Sequence, residues 1–222
     1  MLALALAIAP VVAIIWYITF LDSLNKEPLK MLVRTFLFGV LSIIPAVILE
    51  VYGGKWLGEV NTIPKAWIQA FIVVALSEEL AKYFFLRKYI YNKSEFDEPY
   101  DGIVYAVMIS MGFAALENVM YVAEGGLSVA IARMFTAVPA HASFAVLMGY
   151  WVGRAKMENK PELNWLGLGS AVLFHGLYDF FLLTEMFKGQ IFGAILSLVI
   201  AIVLSRSAIK IHRKFKSNFE SS

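Results

Sequence analysis

The stretch from Pro64 to Arg87, PKAWIQAFIVVALSEELAKYFFLR, decides how the rest of the chain is read. It is apolar enough and long enough to cross a hydrocarbon core of about 30 Å as a helix. Yet it carries Glu78, Glu79 and Lys82 near its middle. Ionisable side chains at that depth are costly and default to a functional reading. A membrane span with chemistry inside it is therefore the first expectation, and the remainder of the sequence either supports or removes it.

Composition supports it. The 222 residues are 60% hydrophobic and 16% charged, with a mean hydropathy of +0.71. A soluble domain carries roughly 45–50% apolar and about 25% charged residues. The charges fall in short groups between apolar runs, which gives seven expected spans near 2–21, 32–51, 64–87, 102–122, 131–153, 164–184 and 190–209. The expected fold is all-α, one polytopic transmembrane bundle over 1–210, with a basic tail over 211–222. The first run lacks a basic leader region and a small-x-small cleavage site, so it reads as a retained span and not a signal peptide. There is no cysteine, which removes disulfides, thiolate zinc sites and cysteine nucleophiles.

Lysine and arginine set the expected orientation. Lys26, Lys30, Arg34, Arg87, Lys88, Lys93, Arg154, Lys156, Lys160, Arg206, Lys210, Arg213, Lys214 and Lys216 fall on one side, and Lys55, Lys65, Arg133 and Lys188 on the other. Seven spans thus place the N-terminus outside and the C-terminus in the cytoplasm.

Other polar residues join the pair. The fourth span holds Glu117 and Asn118, the fifth His141 after Pro139, and the sixth His175 and Asp179. Glu78 and Lys82 are four apart and share a helix face, as do His175 and Asp179. At 1.5 Å per residue from the cytoplasmic ends, Glu78, His175 and His141 lie about 14, 16 and 18 Å deep, near the midplane. Glu117 and Asp179 come out nearer the outer face, at roughly 22–24 Å. Pro139 predicts a mid-span kink beside a wet cavity.

Plainer readings stand beside this one. Glu78, Glu79 and Lys82 could lock helices as an ion pair, and a membrane histidine often makes only an interhelical hydrogen bond. Glu117 and Asn118 divide evenly between site and packing. Gly149 and Gly153 read as a helix-packing pair, and His212 as a solvated residue of a tail that anchors to anionic lipid. Three functions fit a buried Glu/His cavity: a hydrolase with a glutamate base, a divalent-metal site, although no HExxH spacing is present, and a proton- or ion-coupled transporter. The residues alone leave these open.

An ordered series of motifs resembles a known family. It comprises Ile8-Ala9-Pro10, then Asn25, Glu27 and Pro28, then Glu78, Glu79 and Lys82, then Phe96-Asp97-Glu98. Tyr100-Asp101-Gly102-Ile103-Val104-Tyr105, Gly112-Phe113-Ala114, Glu117-Asn118, His141, and His175-Gly176 with Asp179 complete it. Over most of its length the chain resembles the PrsW membrane proteases of Gram-positive bacteria, which make the site-1 cut in an anti-sigma factor during a stress response. These are related to CAAX-type prenyl proteases and bacteriocin-processing homologues. The resemblance implies a metal-independent intramembrane peptidase in the cytoplasmic membrane, with no cofactor and no nucleic-acid partner, acting on a single-span substrate. It implies Glu78 as the base for water, Glu79 as its positioning partner, and His141 as a holder of the water. His175 and Asp179 would support the oxyanion or orient the site, with Lys82, Glu117 and Asn118 supporting. The sequence departs from those relatives at Lys82, one position before their arginine (here Tyr83), and at Asp179, where asparagine is common.

Overall fold

The computed structural model describes residues 2–22, 26–183 and 190–219, with side chains up to His212 apart from that of Gln190. Asn25 and Lys188 lie outside the described residues, as do the side chains of Arg213, Lys214 and Lys216. The described chain is helical, with α1 Leu2–Leu21, α2 Leu29–Leu57, α3 Ile63–Ile68, α4 Leu76–Phe85, α5 Pro99–Phe135, α6 Ala137–Met157, α7 Leu163–Leu183 and α8 Gln190–Phe219. Two π-helical stretches, Gln69–Ala75 between α3 and α4 and Leu86–Ile90 after α4, complete one helical run over 63–90.

Local chemistry explains the boundaries. Pro28 precedes α2, and Gly58 ends it at φ 68, in the left-handed region that glycine enters without a Cβ clash. Pro64 and Pro99 sit in the first turns of α3 and α5, where the missing N–H costs nothing. At the start of α5, Glu98 and Asp101 form a reciprocal capping box.

α5 is the central post. It packs on α6, α1 and α2, while α7 and α8 close over α6. Its first sixteen or so residues, from Tyr100 to Ala115, are buried all round. The outer helices do the reverse and expose Trp16, Leu37, Ile48, Leu173, Phe192 and Val203. Large apolar side chains turned outward around a buried polar centre are what a lipid solvent permits. Where α5 crosses α6, a Cβ on Gly102 would sit 2.4 Å from the Gly149 carbonyl oxygen, and one on Gly153 would sit 2.1 Å from that of Pro99. The backbones touch, so Gly149 and Gly153 serve packing.

Among the described residues, five stretches are long and apolar enough to cross a membrane: Leu2–Leu21, Leu29–Leu57, Pro99–Met157, Leu163–Leu183 and Ile191–His212. The third spans 59 residues, α5 and α6 together. Three expectations need correction. The outer loop expected near 122–131 is helical, because α5 runs on to Phe135 through a break at Gly126 (φ 68, ψ −152). Pro139 makes no mid-span kink; it lies in the first turn of α6, just after the break at Thr136, where a proline is cheap. His212 is not solvated: it is 2% exposed, with its ring stacked on Tyr150 at 4.5 Å. An imidazole has enough apolar surface to be buried by an aromatic neighbour where helices converge.

Candidate active site

The π-helical stretch Gln69–Ala75 leads directly into the carboxylate pair. In a π turn the amide bonds five residues back, and the Leu76 N–H does so to the Phe71 carbonyl. That widened turn faces α7 at Gly176, where a Cβ would lie 2.3 Å from the Phe71 ring. The absent side chain lets α7 approach, and His175 next to it reaches the start of α4.

There the His175 Nδ1 edge meets Glu79 Oε1 at 2.8 Å. Lys82, one turn further along α4, donates to the same oxygen at 2.8 Å and to Glu78 Oε2 at 3.0 Å. Its position three residues from one glutamate and four from the other lets it bridge both. Tyr83, which stands where the relatives' arginine is expected, turns elsewhere and packs near Trp165. The Lys82 ammonium also lies 3.3 Å from His141 Nδ1 and 4.0 Å above the Phe113 ring. Its three N–H groups thus have three polar partners, and the ring adds a cation–π contact.

From these residues the network extends both ways. His175 Nε2 meets Asp179 Oδ2 at 3.3 Å, and Phe144 stacks on the His175 ring at 5.1 Å. His141 Nε2 meets Glu117 Oε2 at 2.9 Å, and Arg133 donates to that oxygen at 2.7 Å. Glu78, Glu79, Lys82, His141 and His175 are each at most 5% exposed. Buried charges survive only when paired and hydrogen-bonded, and here each carboxylate has a cation or an imidazole beside it.

A cavity of about 740 Å³ opens on one side of the network. Glu78, Glu117, His141, His175 and Asp179 line it, whereas Glu79 and Lys82 lie behind. The two glutamates are therefore inequivalent: one faces open space, and the other is held by Lys82 and His175. Asn118 is not at the cavity wall; its side chain donates to the Ala7 carbonyl at 3.1 Å and accepts from Arg133 at 2.6 Å. The sequence reading did not single out Glu50, which lines the cavity from α2. It also passed over Arg133, counted there only as an outer-side charge, and Phe144, while Phe113 was quoted within a motif but given no role. A signal for Arg133 was present, since Glu117 and Asn118 had no partner assigned.

One ligand atom from each of Glu78, Glu79, His141 and His175 lies within 4.8 Å of the others. Two carboxylates and two imidazoles suit a divalent cation chemically, at bonds of about 2.0–2.2 Å for zinc. The Lys82 ammonium, however, already sits 2.8–3.3 Å from three of those four residues. A divalent ion would have to displace that charge or share the donors with it. In this arrangement the residues do not fit a resident metal.

Comparison with known proteins agrees with this architecture. Residues 27–210 match the model of a family described as "PrsW family intramembrane metalloprotease". Protease PrsW of Geobacillus kaustophilus is 38% identical over 84% of this chain and 82% of its own length. Protease PrsW of Halalkalibacterium halodurans is 38% identical over 81% and 83%, and that of Bacillus subtilis 35% identical over 79% and 80%. No solved structure matches. A multi-pass bundle with a buried carboxylate–histidine network, together with this breadth of similarity, identifies a membrane-embedded peptidase of the bacterial membrane, and the chain belongs to the PrsW protease family.

Proposed function

We propose that this peptidase cleaves a single-span membrane protein with a water activated by Glu78, without a metal. The observation that carries the reading is the inequivalence of the two glutamates, with only Glu78 on the cavity wall. A water between Glu78 and a scissile carbonyl would give its proton to Glu78 as its oxygen attacks the carbonyl carbon. The tetrahedral oxyanion would take a hydrogen bond from the His175 Nε2 edge, whose present contact with Asp179 is long at 3.3 Å. Glu78 would then pass the proton to the leaving amine as the C–N bond breaks. Glu79 and Lys82 hold Glu78 in place, and His141 borders the water.

In this reading the chain crosses the membrane seven times, with the run over 63–90 as one span and α5 and α6 as two. The N-terminus is outside and the basic end of α8 cytoplasmic. Residues 1–210 form the protease domain and 211–222 its cytoplasmic tail. The expected substrate is an anti-sigma factor cut at its first site.

The test is cleavage of a purified single-span substrate with an anti-sigma-factor-like sequence, in detergent or liposomes. Glu78→Gln with an unchanged gel-filtration profile should abolish the product; full activity would overturn the assignment. The metal reading keeps one specific support, the four donors within 4.8 Å, which agrees with the family's description. Loss of cleavage on chelation with recovery on added zinc would establish it against the Lys82 argument.

A further inference from the structure

Arg133 and Glu117 lie on the same helix, sixteen positions apart. In a straight α-helix that separation is about 24 Å, far beyond the reach of an arginine side chain. They meet at 2.7 Å because α5 breaks at Gly126, where φ 68 and ψ −152 turn the segment after it back toward the cavity. The guanidinium then engages two neighbours at once, with Nη2 on Glu117 and Nε on Asn118. Asn118 is anchored in turn to the Ala7 carbonyl of α1. Four parts of the fold thus close on one side chain: both limbs of α5, α1, and, through Glu117, His141 near the start of α6.

What that closure controls is the proton on His141. Glu117 Oε2 faces both Arg133 Nη2 and His141 Nε2. A carboxylate paired with arginine only accepts, so the imidazole must present Nε2–H to it. Nδ1 is then a lone pair, and it faces Lys82 Nζ, a donor, at 3.3 Å. The opposite tautomer would set an Nδ1–H against the ammonium and leave Glu117 facing a lone pair.

We infer that Arg133 is a positioning residue of the site, which through Glu117 fixes His141 as the Nε2–H tautomer and so aligns Lys82 with Glu78 and Glu79. The catalytic consequence rests on the proteolytic reading above; the tautomer does not. The chain has only three histidines, so ¹⁵N-histidine labelling in nanodiscs gives a resolvable spectrum, assigned with His141→Asn and His212→Asn. In the unaltered protein without substrate, His141 should show a protonated Nε2 and an unprotonated Nδ1. Arg133→Met should mix or invert that pattern, and Arg133→Lys should keep most of it. With substrate, Arg133→Met should lower kcat about tenfold, the scale of one lost charge-assisted hydrogen bond, with KM unchanged. An Nδ1–H or doubly protonated His141 in the unaltered protein would overturn the inference. So would an Arg133→Met spectrum identical to the parent, whatever the activity. If no tested substrate is cut while the spectra behave as expected, the proteolytic reading fails and the positioning by Arg133 stands.

Discussion

α5 buries carboxylates at its start and near its middle and satisfies them in opposite ways. Near its middle, Glu117 joins Glu78 and Glu79 in a network threaded by Lys82, His141, His175 and Arg133. At its start, Asp101 is fully buried and Glu27 nearly so. Among the described residues, no lysine or arginine forms an ion pair with either of those two. Asp101 instead accepts the backbone N–H groups of Asp97 and Glu98 at 2.9 and 2.6 Å, and Glu27 accepts the Tyr105 hydroxyl. The first arrangement leaves carboxylate oxygens and imidazole edges at an open cavity. The second spends its carboxylates on backbone and phenol, which fastens the α1–α2 connection to the head of α5. Burial of acids alone therefore does not mark a site; a cavity and mobile protons beside them do.

The contrast can be broken by substitution. The largest effect should come from Glu78→Gln, a loss in cleavage rate of about 10²–10⁴-fold if it is the general base, with thermal unfolding by tryptophan fluorescence little changed. Lys82→Met removes the cation that two buried acids share, leaving Glu79 only its His175 contact. Breaking such a network costs about 3–5 kcal/mol, so its unfolding transition should fall well below that of Glu78→Gln. A Lys82→Met protein as stable as the parent would show that the network is not held by charge.

At the other end the effects should be smaller and confined to stability. Tyr105→Phe deletes one donor to a buried carboxylate and should cost about 1–3 kcal/mol, with kcat unaltered in the folded fraction. Burial pushes the Glu27 carboxyl above its ordinary value of 4.5, against the hydrogen bonds that pull it down. A raised carboxyl binds its proton more tightly folded than unfolded, so its contribution is full below about 4.5 and fades as pH rises above that. Glu27→Gln should remove this part of the slope; an unchanged stability–pH curve between parent and variant would contradict it.

The two regions were also unequally legible. A rise of 1.5 Å per residue sufficed to bring Glu78, His141 and His175 to one level, because a membrane fixes helix direction and makes depth a one-dimensional count. The motifs at Glu27, Asp97 and Asp101 were visible as a pattern, but their hydrogen bonds depend on how two connections fold over α5, which no periodicity encodes. Arg133 was counted only as an outer-side charge at the end of the fifth span for a related reason. The Gly125-Gly126 pair signals a break, but not that the helix resumes and turns its arginine inward. His212 shows the converse limit, since a basic neighbourhood in sequence did not tell that Tyr150 would cover it.

The π-helical stretch at Gln69–Ala75 has a consequence for insertions and deletions. A widened turn of this kind holds one more residue than the α-helix it interrupts, absorbed without putting the flanking segments out of phase. Removing a single residue from within it should close the turn and leave Glu78 and Glu79 in place. The same deletion between Glu79 and Lys82 would swing the lysine about 100° around the helix, away from both acids. Changes in length along this helix are thus tolerable on one side of the glutamates and ruinous on the other.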